Sequence, residues 1–397
     1  MRKRILITIT ITITITAAAC LAALLFSSCG AGGYLRDATE AAPETAAPET
    51  TAAPETTAAP ETTADTGTTA PPATDAPPAT DAPPATAAPD PPVREADASA
   101  PFFIHFRSSV TTALGKPFDV HEYVAYADDS DSDVDLYVDG EVDVGTIGEY
   151  RLLLTITDDA GNSDTGEMTV SVAEAAQNVP TYEPPPAKPF AEFAAAYRKG
   201  GAAVGVDVSR WQGDIDFSRV AAAGCEFVII RVGGYAGGLF EDPYYAVNIR
   251  NARAAGLKVG VYWYTEENSV EQVRADADYL FSLLDGEKLD FPVFFDWEDF
   301  YHFEDYKMSV RDLNALFLAF REEAEARGYG AVLYNSPYYL GLLWSDEAKG
   351  DGIWLAHYVD ETNYGGKYFL WQQGFGRIDG IDGDVDVDVF YPSKYTH

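Results

Sequence analysis

Basic residues are scarce in this chain. Against 63 Asp and Glu there are only 27 Lys and Arg, a formal net charge of -36. That balance argues against nucleic acid as a partner, because phosphate binding needs a basic surface that releases counterions. It also repels anionic membranes and polymers, so capture of such material must come from shaped aromatic subsites or from a tether. Histidine is sparse as well: there are five, none in an H-E-x-x-H arrangement, which leaves no zinc-peptidase signature. No metal and no cofactor is called for. The three cysteines are Cys20, Cys29 and Cys225. Only Cys225 lies in a stretch able to fold, so no disulfide framework is available. In its apolar setting, AAAGCEFVII, it reads as an inert core thiol. Stability must therefore come from burial, and 397 residues exceed one ordinary core.

Composition divides the chain into five segments. Residues 1–29 have a basic start and then an apolar stretch ending in small residues, an export signal. The sequence Leu25-Phe26-Ser27-Ser28-Cys29 resembles a lipoprotein cleavage box with Cys29 as the acylated residue, although Phe26 stands where leucine is usual. Lipidation at Cys29 is the expectation. Ordinary cleavage and an uncleaved anchor are the alternatives, and all three place the folded domains outside the cytoplasm, at the cell surface or beyond. Membrane contact is expected only through such an anchor. Residues 30–98 are low-complexity Pro, Thr and Ala, too poor in large apolar groups to offset the entropy of ordering. They read as an extended spacer.

Residues 99–173 change to short alternating runs, FFIHF, VDLYV, YRLLLTIT and EMTVSV, separated by Gly- and Asp-rich turns. This spacing reads as a small all-β sandwich. With Gly148-Glu149-Tyr150 re-entering a strand and TDDAGNSDTGEMTVSV near its end, the segment resembles bacterial immunoglobulin-like surface domains. Its acidic run from Asp128 to Asp135 is expected to be a solvated loop rather than a calcium site. Residues 174–200 read as a second Pro-rich linker.

Residues 201–393 read as the α/β domain. AAVGVDVS, EFVIIRV, LKVGVYWYT and FPVFFDWE have the apolar β-branched character of buried parallel strands. Amphipathic stretches such as QVRADADYLFSLL and VRDLNALFLAFREEAEARG lie between and after them. AVLYN, IWLAHYV, KYFLWQQ and DVDVDVF then come with little room for helices. About eight strands in roughly 190 residues is short of the ~250 of a regular barrel, so the last helices must be missing or vestigial.

In such barrels the site lies at the carboxyl ends of the strands. Asp296 and Glu298, at the end of the fourth strand, stand two residues apart and project to one side, with Trp297 on the other. Like charges so close push one proton affinity upward, leaving an acid beside an ionised partner. Glycosidic cleavage needs such a pair. By itself D-x-E is weak evidence, since acids at a strand end often only face water. The ordered set GVDVSRWQGDIDF, FVIIRVGGYAGG, AAGLKVGVYWYT, FPVFFDWED, IWLAHYV and YFLWQQ is far more specific. From about Gly205 to Phe390 it closely resembles the family 25 glycoside hydrolases, the N-acetylmuramidases of the Chalaropsis lysozyme type.

That resemblance implies an irregular TIM-like (β/α)5(β)3 barrel. It also implies cleavage of the β-1,4 bond between N-acetylmuramic acid and N-acetylglucosamine in peptidoglycan glycan strands. It gives Glu298 the general-acid role, makes Asp296 the partner that supports the reacting ring, and places Asp207 in the catalytic cleft. Asp386 matches the last-strand aspartate of the closing pattern that includes Gly380 and Gly383, while Asp388 replaces the usual asparagine. Asp384 and Asp388 are expected on the surface or in support. Tyr262, Tyr264, Trp354 and Tyr358 are expected to offer sugar platforms, and Arg231, after the second strand, to pair with a cleft carboxylate. The substrate's own acetamido group is the expected nucleophile, assisted by Asp296. A monomer is expected. A wall-binding module or adhesin without activity is the alternative, weakened by the presence of Asp207, Asp296 and Glu298.

Overall fold

The eight apolar runs of the α/β region become the staves of one closed sheet. A computed structural model describes residues 98–175 and 185–395, all within one compact unit. The leader, Cys29 and the Pro/Thr-rich spacer up to residue 97 lie outside the described residues.

The first body holds β1 (Phe102–Phe106), β2 (Ser109–Ala113), β3 (Val124–Ala127), β4 (Asp135–Asp139), β5 (Gly148–Thr157) and β6 (Ser163–Ala173). β1 and β3 form an antiparallel ribbon, and the other four form a sheet in the order β2-β6-β5-β4. Leu152, Leu154, Ile156, Met168 and Val170 pack against Val124 and Tyr126 of the ribbon. The strands β2 and β3 were not legible, because SVTTA and VAYA lack the large alternating residues that mark the others. The acidic stretch after β3 is not simply solvated, which corrects the expectation: Asp128 is fully buried and Asp131 nearly so. The Asp128 carboxylate accepts the backbone N–H groups of Ser130 and Asp131 at 2.8 and 2.9 Å, so the turn folds around it.

The second body begins earlier than expected. Within the stretch read as linker, β7 (Lys188–Pro189) and α1 (Phe190–Tyr197) already belong to the barrel. Phe190, Phe193 and Ala194 recur at helical spacing and are buried in its core. The prolines that suggested a linker end at Pro189, the residue before the helix begins. The chain then runs β8 (Ala203–Val208), α2 (Phe217–Ala222), β9 (Phe227–Tyr235), β10 (Leu239–Glu241), α3 (Tyr245–Ala254), β11 (Lys258–Thr265), α4 (Val270–Leu284), β12 (Val293–Trp297) and α5 (Val310–Ala326). It ends with β13 (Ala331–Asn335), α6 (Pro337–Leu342), α7 (Asp346–Lys349), β14 (Trp354–Ala356), β15 (Leu370–Arg377) and β16 (Val385–Phe390).

The ring runs β9-β11-β12-β13-β14-β15-β16-β8 and closes where β8 pairs with β9. All neighbours are parallel except β16, which is antiparallel to both β15 and β8. A parallel return needs a crossover of a dozen or more residues, and residues 378–384 are too few. Alternation along each strand then separates two layers. Val204, Val206 and Val208 of β8, with Val385, Val387 and Val389 of β16, join the layer shared with the helices. The barrel interior is plugged by Phe227, Phe291, Phe294, Trp354, Phe369 and Phe390. Gly205 is required here: a Cβ would sit 2.5 Å from the Phe227 carbonyl oxygen and ring, so any side chain would force β8 away from β9.

Candidate active site

Above the aromatic plug the interior becomes polar. β12 supplies Asp296 at its end and Glu298 just beyond, while Trp297 turns outward into the core and donates its indole N–H to the Glu267 carbonyl at 2.8 Å. β8 supplies Asp207, and β16 supplies Asp386 directly opposite it in register. β15 supplies Gln372, which none of the sequence patterns singled out. Its Nε2 donates to Asp207 Oδ2 at 2.8 Å, and its Oε1 accepts from the hydroxyls of Tyr334 and Tyr358 at 2.8 and 2.7 Å. One amide thus ties three strands and the loop after β14 into a single network. Gln372 was visible only as a polar residue in the otherwise apolar run YFLWQQ. Tyr334, in AVLYN, carried no signal separating it from core.

Burial dominates the electrostatics. It pushes Glu298 up to about 7 and Asp207 up to about 6, the latter held back by hydrogen bonds from Gln372 and Asp388. Asp296 is raised well above the ordinary carboxylate range by burial, then by the charges of Glu298 and Asp207, with the Arg231 guanidinium opposing. Asp386 and Asp388 are raised for the same first reason, with Asp207 adding repulsion to each. So many carboxyls in one dry mouth cannot all ionise, and several hold protons near neutrality. Asp388, expected on the surface or in support, is fully buried. It accepts the Trp354 indole N–H at 2.8 Å and hydrogen-bonds Asp207. Its raised proton affinity makes Asp388 the neutral donor of that pair and Asp207 the acceptor. Asp384 instead pairs with Arg377 at the barrel exterior.

Two expectations need correction. Trp354 is 2% exposed; it lies under Tyr262, Phe294 and Tyr334 and forms the floor of the site instead of presenting a face to a sugar. Arg231 lies within β9, not after it, and its guanidinium pairs with Asp242 at 2.7–2.8 Å, a residue given no role from sequence. Asp242 also accepts the backbone N–H groups of Arg210 and Tyr244, so the pair fixes the loops beside the mouth. Tyr262, Tyr264 and Tyr358 are half-buried at the rim. Tyr264 donates to Glu266 at 2.8 Å, and Tyr358 also hydrogen-bonds Asp386.

Residues 206–375 match the family model for glycosyl hydrolases family 25. The Uncharacterized protein YegX of Escherichia coli O6:H1 is 30% identical over 193 residues, covering 47% of this chain and 68% of that protein. The chain belongs to glycosyl hydrolase family 25. Lysozyme M1 of Streptomyces globisporus is 28% identical over 199 residues, covering 47% of this family 25 hydrolase and 67% of that lysozyme. Among solved structures, a bacterial lysozyme from Streptomyces coelicolor is 25% identical with a TM-score of 0.41, covering 49% of this chain and 96% of that one. A family 25 glycosyl hydrolase from Bacillus anthracis is 23% identical with a TM-score of 0.42, covering 48% and 88%. Residues 104–172 of the hydrolase match the model for a bacterial surface protein Ig-like domain.

Proposed function

We propose that this family 25 hydrolase is a muramidase of the Chalaropsis lysozyme type. It would cut peptidoglycan between N-acetylmuramic acid and N-acetylglucosamine, with Glu298 as the proton donor. What carries this assignment is Glu298 itself, a carboxyl at the end of a barrel strand whose burial lifts it to about 7. A group so placed is half-protonated near neutral pH and protonated below it, yet can release its proton to a leaving oxygen. Asp296, beside it, supports the ring on which positive charge develops and orients the acetamido group for attack. Asp207 and Asp386, cross-linked through Gln372 and Tyr358, hold the opposite wall. Tyr262, Tyr264 and Tyr358 contact sugar.

Similarity to Lysozyme M1 and to the autolytic lysozyme of Clostridium acetobutylicum, the latter 26% identical over 188 residues, supports this substrate class. Five β/α units followed by β14, β15 and β16 are read as a (β/α)5(β)3 barrel, and the first body as an immunoglobulin-like sandwich. An extracellular or surface position suits both domains, and a lipid tether at Cys29 belongs to the same proposal. The test is release of new reducing muramic acid ends from insoluble peptidoglycan by the purified chain. Release by the wild type and none by Glu298→Gln is expected. Binding without release would leave a wall-binding module and overturn the assignment.

A further inference from the structure

In the β1–β3 ribbon of the first body, β3 is buried on both faces. Its four residues Val-Ala-Tyr-Ala are all inaccessible. Val124 and Tyr126 join the core of the first body, whereas Ala125 and Ala127 join the core of the barrel. Strand alternation produces this division, and the small alanines permit close approach. In β1 the register shifts between Phe103 and His105, a bulge that re-aims side chains. Consecutive Ile104 and His105 therefore both reach the hydrolase.

The hydrolase elements they reach are the loop leaving Glu298 and the helix α6. His105 stacks on Tyr301 at 4.2 Å with 6° between planes, and its Nε2 lies 2.8 Å from the Tyr339 hydroxyl. Tyr338 donates to the Ile104 carbonyl at 2.7 Å. Tyr339 in turn stacks on Phe300 at 3.6 Å, and Phe300 packs edge-on against Trp297 at 5.0 Å. Trp297 is bonded to both Asp296 and Glu298 through the chain. The far end of the loop is held too. The N–H groups of Val310 and Arg311, in the first turn of α5, have no partners within the helix. They donate instead to the carbonyls of Asp128 and Asp129 at 2.9 and 3.1 Å.

We infer that the Ig-like ribbon is a working part of the hydrolase, clamping residues 299–309 at both ends so that Glu298 stays seated and dry, with His105 and Tyr339 as positioning residues. This rests on Glu298 being the proton donor. A loosened clamp leaves the sugar-binding rim in place but admits water to Glu298, so its proton affinity falls toward that of an ordinary glutamate. Loss of the clamp is therefore expected to lower kcat without raising KM and to move the basic limb of the pH profile to lower pH.

The experiment uses the full chain with His105→Ala, the rescue variant His105→Gln and the milder Tyr339→Phe, which keeps the stack on Phe300. Amide exchange is measured across residues 299–311, and kcat, KM and the pH profile are determined on solubilised peptidoglycan. Expected for His105→Ala are faster exchange across the loop, kcat down on the order of tenfold with KM within about twofold, and an acid-shifted basic limb. Tyr339→Phe changes in the same direction more weakly, and His105→Gln restores part of each effect. Unchanged exchange, or faster exchange with unchanged kcat and pH profile, overturns the inference. Should His105→Ala fail to fold, Tyr339→Phe decides by the same criteria. If the wild type releases no reducing ends, the muramidase assignment fails. The exchange arm then decides the clamp alone: faster exchange in the variants sustains it, and unchanged exchange ends it.

Discussion

The lower and upper halves of the barrel interior are built on the same strands and face the same axis, yet obey opposite rules. Below, Phe227, Phe291 and Phe369 meet Phe390 edge to face and Phe294 lies tilted against Phe369, and burial is favourable throughout. One register step up, Asp207, Asp296, Asp386 and Asp388 are buried nearly as deeply, and burial costs. Buried oxygens of Asp296 and Asp386 lack any hydrogen-bond partner, which is expensive for stability. The plug is stable and the mouth is poised, and the difference is one of side chain, not of backbone.

The largest expected effect strikes the mouth alone. Glu298→Gln should lower the rate of bond cleavage by ~10²–10⁴-fold, the usual contribution of a general acid, while thermal unfolding shows the variant to be no less stable than the wild type. A large fall in stability would mean that the two halves are not separable. Phe294→Ala should do the reverse. Truncating a fully buried aromatic is expected to cost ~3–5 kcal/mol by denaturant unfolding, with kcat per folded molecule changed much less.

Stability should also depend on pH, and the sign is set by the mouth. Glu298 is raised from about 4.5 to about 7 on folding, so the folded state binds more protons than the unfolded state between those values. The stability this contributes is fully present below about 4.5 and is lost as pH rises through about 7. A higher Tm at pH 5 than at pH 8 is expected, and Glu298→Gln should shrink the difference. An equal difference in that variant would assign it to the other acids. The smallest effect is expected for Tyr358→Phe. Removing one of the two hydroxyls on Gln372 should cost about 1 kcal/mol of stability and a few-fold in kcat. A loss as large as that of Glu298→Gln would place Tyr358 among the groups that touch the reacting atoms.

Much of this was legible along the chain. Runs such as FVIIRV and FPVFFDW announce strands buried on both faces, and D-x-E at a strand end places two acids on one side. The misses have physical causes. Asp388 reads like its neighbours in DVDVDV, because alternation tells which face a residue occupies but not how deep along the barrel it lies. Trp354 looked like a platform since an aromatic beside a site reads the same whether it lines the rim or the floor. Arg231 and Asp242 are eleven residues apart, and their pairing depends on how the chain turns back after β9. The helix α1 was hidden by the prolines before it, although its phenylalanines carried the helical period.

The sequence by itself determined the class of fold, the number of barrel strands and the placing of Asp296 and Glu298 side by side at the end of a strand. These depend on periodicity and on neighbours two to four residues apart, which a chain carries locally. Only the tertiary structure decided which acids lie deep enough to hold protons, that Gln372 is the hub joining Asp207 to Tyr334 and Tyr358, and that Ala125 and Ala127 face the hydrolase. Those outcomes turn on burial and on contacts between residues far apart in the chain, and both are properties of the closed barrel and of the ribbon packed against it.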